Sequence, residues 1–112
     1  MTEITLYVKR LIDVPSEVSI RGKVSDCRFH RAWDDENGAY SYYLVTVEGD
    51  NMSVNDVDYE IRVYEDTACD NTVYVTACVD GEIIDDAFVP CDSDAVTEQI
   101  HKFAQFLTEY EK

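Results

Sequence analysis

Carboxylates are the most numerous side chains of this chain that could do chemistry, and they are concentrated in its middle. The segment from Asp34 to Asp94 contains seventeen acidic residues and a single basic residue, Arg62. Carboxylates can act as general acids and bases, as ligands of hard cations, or as partners of Lys and Arg side chains. Their spacing along the chain separates these three uses.

The acidic residues are not spaced for catalysis. The adjacent pair Asp85 and Asp86 would point to opposite faces of a strand, so it cannot form the facing carboxylates of a glycosidase. The sequence also lacks the GxSxG, GxGxxG, P-loop and HExxH motifs, each of which holds a nucleophile, a phosphate or a metal in a defined turn or helix. We therefore expect a protein that is not an enzyme and that uses no cofactor.

The spacing of possible metal ligands does not predict a metal site either. The acidic run before Gly38 has the composition of a calcium loop, but a Gly at the sixth loop position puts Trp33 at the first, where Asp is required. His30 lies between two arginines, whose charges oppose a bound cation. His101 has no Cys or His partner at ligand spacing.

The net charge limits the class of partner. At −15, the chain should repel nucleic acids and anionic membranes and attract a basic protein. The first 33 residues carry six basic and four acidic groups, so the negative charge is not spread over the chain as salt adaptation would require. We expect no direct contact with nucleic acid or membrane.

The N-terminal residues and the cysteines favour a cytoplasmic location. Residues 1–4 lack the basic and apolar regions of a signal peptide, and no apolar run reaches the roughly 18 residues of a membrane span. The four cysteines form no CxxC pair, and we expect reduced thiols. If the chain is phage-encoded, its location would be the host cytoplasm.

Alternating apolar and polar residues predict a series of strands. The expected strands cover residues of about 3–9, 17–31, 39–48, 56–65, 72–79 and 82–89. Turns are indicated at Asn37-Gly38 and Asp80-Gly81, where positive φ angles are tolerated. A change of face near Ser25-Asp26 predicts a β-bulge within the long second strand.

The C-terminal segment has a helical period instead. Val96, Ile100, Phe103 and Leu107 recur on one stripe, which predicts an amphipathic helix over about 94–111. We therefore expect residues 1–112 to form a single α+β domain, in which an antiparallel β-sheet meander of about five to six strands carries the helix on one face.

The one basic cluster of the sequence comprises Arg21, Lys23, Arg28 and Arg31. It would lie on the second strand. Pairing across adjacent strands could make it an internal counterweight to the acids, which we favour. Contact with nucleic acid or with the partner is the other reading.

One strand should carry a regular row of carboxylates. Asp56, Asp58 and Glu60 would stand about 6.7 Å apart on one face, which is close to two phosphate steps along a DNA strand. Such a row could occupy a cleft built for a phosphate backbone, while Trp33 and Tyr64 supply apolar anchors. The residues predicted to bind a partner are Trp33, Asp34, Asp35, Glu36, Asp56, Asp58, Glu60, Tyr64, Glu65, Asp66, Asp70, Asp80, Glu82, Asp85 and Asp86.

In general character, a small acidic chain of this kind resembles phage-encoded DNA mimics. These include anti-CRISPR proteins, anti-restriction proteins and inhibitors of uracil-DNA glycosylase. The resemblance implies an inhibitor that binds the nucleic-acid groove of a basic protein such as a nuclease. An immunity protein that neutralises a basic nuclease toxin, or a generic acidic interaction domain, would have the same composition.

Overall fold

The computed structural model describes residues 2–11, 14–22, 24–36, 38–47, 58–64 and 72–110. Within these ranges it contains seven strands and one helix. The elements are β1 (Thr2–Leu11), β2 (Val14–Gly22), β3 (Val24–Asp34), β4 (Gly38–Val47), β5 (Tyr59–Tyr64), β6 (Thr72–Val79), β7 (Glu82–Pro90) and α1 (Ser93–Glu109).

The strands form two antiparallel sheets. β3 to β7 follow one another in chain order as a five-stranded meander, and β1 and β2 form a separate hairpin. The helix α1 packs against them. The predicted α+β meander with one C-terminal helix is therefore confirmed.

The single strand predicted over 17–31 is wrong, because the structure divides it into β2 and β3 in different sheets. The break follows Gly22, whose φ of +104° lies in the region that favours glycine. The predicted bulge is present, since the β3–β4 register shifts between Val24 and Asp26. Gly22 therefore ends one sheet and allows the chain to enter the other.

One face of the five-stranded sheet carries the core. Alternate residues of β4, β5 and β6 are buried there, among them Val45, Ile61 and Val75. The helix contributes the predicted stripe, with Val96 and Ile100 fully buried. Tyr110, which falls within the predicted helix of about 94–111, follows α1 as its C-cap.

The β1–β2 hairpin is held beside the helix by polar contacts. The backbone N–H of Ser19 donates to Ser93 Oγ (2.9 Å), and Thr97 Oγ1 donates to the carbonyl of Ser19 (3.2 Å). His101 Nε2 lies 2.8 Å from the carbonyl oxygen of Arg21. Hairpin and helix thus cover the same face of the sheet, and no described helix or strand covers the opposite face.

Two further observations bear on the sequence predictions. No described helix is long and apolar enough to cross a membrane. Cys27, Cys78 and Cys91 are not in disulfides, and Cys69 lies outside the described residues.

Candidate partner-binding face

The face of the sheet opposite the helix carries one ring from each of its five strands. His30 pairs with Tyr42, Tyr42 with Tyr64, and Tyr74 with Phe88 in the strand register. We call these five residues the aromatic row: His30, Tyr42, Tyr64, Tyr74 and Phe88. Successive ring centroids are 5.5, 5.6, 5.0 and 4.6 Å apart. The row therefore crosses the whole sheet without a gap.

Exposure along the aromatic row is greatest at the β7 end. Phe88 is 56% exposed, whereas the other four residues are half-buried. Tyr40 widens the row, with ring centroids 6.1 Å from Tyr42 and 6.2 Å from Tyr64. Aromatic pairs at such distances contribute about 0.5–1.5 kcal/mol each beyond their burial, so neighbouring rings of the row stabilise one another. Aromatic side chains are also enriched at protein interfaces.

Arg62 lies beside the aromatic row and is already occupied within the chain. Its guanidinium carbon is 4.6 Å from the centroid of the Tyr42 ring. Its Nη2 and Nε donate to Glu60 Oε1 over 2.7 and 3.0 Å. Burial acts to lower the pKa of Arg62, but hydrogen bonds to Glu60 and Tyr64 outweigh burial and raise it. The charge of Glu60, a residue predicted to bind a partner, is thus compensated by Arg62.

Asp86 is held next to the exposed end of the row. The Tyr74 hydroxyl donates to Asp86 Oδ2 over 2.8 Å. Burial, together with this hydrogen bond and the carboxylate charge, raises the pKa of Tyr74 well above its usual range. The phenol therefore stays protonated and keeps donating, which fixes the Asp86 carboxylate two residues from Phe88.

The other described acids lie at the ends and the edge of the sheet. Asp35 and Glu36 are exposed in the β3–β4 turn at one end. Asp80 and Glu82 are exposed at the β6–β7 turn, which the antiparallel order places at the opposite end. Asp58 adjoins that turn, since its backbone N–H donates to Asp80 Oδ1 (3.0 Å) and its carbonyl accepts from the Asp80 N–H (2.9 Å).

The predicted acidic clusters thus do not all meet at one end of the sheet. Asp56, Glu65, Asp66 and Asp70 lie outside the described residues, as does the side chain of Asp34. Of the two predicted anchors, Tyr64 belongs to the aromatic row. Trp33 is 71% exposed, but strand alternation puts it on the face opposite the row, since it is three residues from His30.

The basic residues of the N-terminal third are not assembled on one face. Arg21 forms an exposed ion pair with Asp94 of the helix (3.3 Å). Arg28 and Arg31 lie on opposite faces of β3 because they are an odd number of residues apart. Lys23 lies outside the described residues. Arg21 thus offsets one acid of the chain, but this acid is on the helix and not on an adjacent strand as expected.

The outer edge of β7 is protected against pairing with another strand. The backbone N–H of Asp86 donates to its neighbour Asp85 (Oδ1, 2.9 Å), and Pro90 has no N–H to donate. Exposed charges on an edge strand have the same effect. Binding at this side of the sheet is therefore expected to use side chains and not backbone pairing.

The aromatic row was not predicted from the sequence as a site. Its signal was present, because Tyr40, Tyr42 and Tyr64 occupy the outward positions of their alternating strands. The rings meet only because of the register between neighbouring strands. This register cannot be predicted from the alternation within each strand, because it depends on the connections between strands, whose lengths vary.

The described residues contain no cluster of three or more His, Cys, Asp or Glu side chains that could hold a metal ion. Comparison with protein-family models, with curated proteins and with solved structures finds no match.

Proposed function

We propose that this chain is a small acidic inhibitor that binds the basic, nucleic-acid-binding surface of a partner protein. The observation that carries the proposal is the sheet face opposite the helix, where the aromatic row ends at the exposed Phe88 and exposed carboxylates lie at the β7 side and at the ends of the sheet. Rigid rings supply desolvated anchors, while a charged rim steers a partner of opposite charge.

A protein partner fits this face better than a nucleic acid does. Exposed rings on a sheet can stack with bases, but a phosphate backbone beside Phe88 would meet the carboxylate of Asp86, which lies on the same face of β7, whereas Asp85 points to the helix side. The described residues of β6 and β7 include no basic side chain to offset this charge. Lys and Arg side chains on a partner would instead be attracted.

The distribution of the acids supports mimicry of nucleic acid as the mode of binding. β4 has ten residues, so the acids at the two ends of the sheet are separated by roughly 30 Å along the strands. This is close to one turn of DNA, about 34 Å. A groove that accepts phosphates one turn apart could accept both acidic ends, with the aromatic row between them.

The partner class that follows is a nuclease or another nucleic-acid-binding enzyme. A phage-type anti-defence role, against CRISPR or restriction enzymes in the host cytoplasm, is the form of the proposal that the acidic composition favours. An immunity protein would instead bind one toxin nuclease. A generic acidic interaction domain would bind without displacing nucleic acid.

The test is isolation of the partner followed by competition. A pull-down from nuclease-treated bacterial lysate should capture a basic protein, whose binding to labelled DNA or RNA is then measured with increasing amounts of this chain. We expect competitive displacement and an affinity that falls steeply with salt. Capture of a single toxin nuclease would favour the immunity role. A partner that binds nucleic acid unhindered contradicts inhibition by mimicry.

Matched variants show whether the face is responsible. Removing the charge of Asp86, with Asp86→Asn, should weaken displacement. Removing one exposed charge away from the face, with Glu17→Gln, changes the net charge equally and should have little effect. Equal losses for both variants would mean that net charge alone drives binding.

A further inference from the structure

The β7 end of the aromatic row combines an exposed ring with an exposed carboxylate. Phe88 stacks on Tyr74, with ring centroids 4.6 Å apart and planes 26° apart. β7 is the last strand in the sheet order, so no described strand lies on the other side of the Phe88 ring. Asp86 projects from the same face, about 6.7 Å along the strand.

The Asp86 carboxylate is oriented but only partly used. The Tyr74 hydroxyl donates to Oδ2. Within the described part of the chain, no hydrogen bond to Oδ1 is formed. A fixed carboxylate oxygen therefore remains available beside a ring that is 56% exposed.

The same face shows what such a combination binds. Arg62 stacks over Tyr42 with its guanidinium carbon 4.6 Å from the ring centroid, and it donates to the carboxylate of Glu60. A planar guanidinium can stack on a ring and donate in its own plane at once. The corner of Tyr74, Asp86 and Phe88 has the ring and the carboxylate, and no cation among the described residues pairs with it.

We propose that the corner formed by Tyr74, Asp86 and Phe88 binds an arginine side chain of the partner, which stacks on Phe88 and donates to Asp86. This inference rests on the proposed function, because a nucleic-acid-binding surface supplies the arginine. Charge complementarity supports it, since the Asp86 carboxylate is exposed on the same face as Phe88. Arginine is preferred over lysine because an ammonium group cannot stack as a plane.

The subsite is tested first without any partner. N-acetyl-arginine amide, with N-acetyl-lysine amide as the matched probe, is titrated into the protein while side-chain NMR signals are followed. The arginine probe should shift the ring signals of Phe88 and Tyr74 saturably and more than the lysine probe does. Phe88→Leu should weaken binding roughly fivefold, and Asp86→Asn should weaken it as well.

The control variants keep the same chemistry elsewhere. Phe106→Leu replaces another exposed phenylalanine (39% exposed), and Glu17→Gln removes an exposed carboxylate from the hairpin; neither should change the titration. Shifts spread evenly over all carboxylates, or unchanged by Phe88→Leu, would overturn the arginine subsite.

The isolated partner separates this inference from the function on which it rests. If this chain displaces nucleic acid and Phe88→Leu displaces it equally well, the subsite is wrong while the inhibitor proposal stands. If the arginine probe binds at Phe88 but no nucleic acid is displaced from the partner, the inhibitor proposal fails while the subsite stands.

Discussion

Replacing Glu60 with Gln should destabilise the fold by about 2 kcal/mol, because it leaves the guanidinium of Arg62 without its counter-charge. The side chains of Glu60 and Arg62 are 27% and 14% exposed, so the burial of this ion pair is intermediate. An exposed ion pair contributes at most about 1 kcal/mol, whereas removing one partner of a fully buried pair costs about 3–5 kcal/mol. Gln keeps the size of Glu and one acceptor oxygen, so the loss is mainly that of charge.

The assay is urea unfolding followed by circular dichroism, with Glu98→Gln as control. Glu98 pairs with Lys102 at the helix surface, where the side chains are 68% and 66% exposed, so its replacement should cost less than about 0.5 kcal/mol. For a domain of this size, 2 kcal/mol corresponds to a fall of roughly 10 °C in Tm.

A double-mutant cycle isolates the pair. Arg62→Met should also destabilise, since it removes the stacking on Tyr42, but the double variant with Glu60→Gln should be more stable than the sum of the single changes predicts, by about 1–2 kcal/mol. Strict additivity, or equal effects of Glu60→Gln and Glu98→Gln, would refute the view that Arg62 and Glu60 form one unit on this face.

Three further changes test the fold and the site. Gly22→Ala should destabilise the fold by about 3 kcal/mol, because Gly22 has a φ of +104° and an added Cβ would lie 2.6 Å from Nε2 of His101. Gly81→Ala is the control: Gly81 also has a positive φ, but an added Cβ would meet no atom within 4 Å. It should cost about 1 kcal/mol in the same unfolding assay. Asp92→Ala should cost about 1 kcal/mol, measured by thermal unfolding, since it removes the N-cap acceptor of α1. The pKa of Tyr74 is raised in the folded protein, so the protonated phenol should stabilise the fold below pH 10. This contribution should be lost as the pH rises above 10, because the phenol of the unfolded chain then releases its proton first. Tyr74→Phe should therefore reduce the fall in the free energy of unfolding between pH 9 and 11, and an unchanged slope would contradict the Asp86 contact.

The succession of strands and helix along the chain could be predicted because strands and helix have different periods of apolar residues. Alternation over β4 to β7 and the stripe of α1 depend only on local spacing. The division of 17–31 was missed because an apolar alternation continues past Gly22, and the positive φ of Gly22, where the hairpin ends, leaves no mark on that alternation. The hairpin was therefore predicted as part of the main meander.

The candidate site was harder to predict than the fold. The pairing of Glu60 with Arg62 was accessible in principle, since residues two apart share a strand face. The aromatic row was not, because it joins rings from five strands whose relative register is set by tertiary structure. Counting acidic residues does not distinguish Glu60 from Asp86. In the structure Glu60 pairs with Arg62, whereas Asp86 accepts a hydrogen bond from the Tyr74 hydroxyl.

This difference between the two carboxylates predicts how binding should respond to mutation. Around Glu60 the charge is compensated by Arg62, and the exposed carboxylates lie at the β7 side and at the ends of the sheet. Variants of rim acids should therefore act mainly on the association rate and on its salt dependence. Phe88→Leu should act mainly on the dissociation rate, because the contacts of the Phe88 ring with the partner form only after docking. The association and dissociation rates of the acid variants and of Phe88→Leu should be measured with the same partner. If both classes of variant change the two rates equally, the carboxylates and the Phe88 ring do not have the separate roles proposed for them.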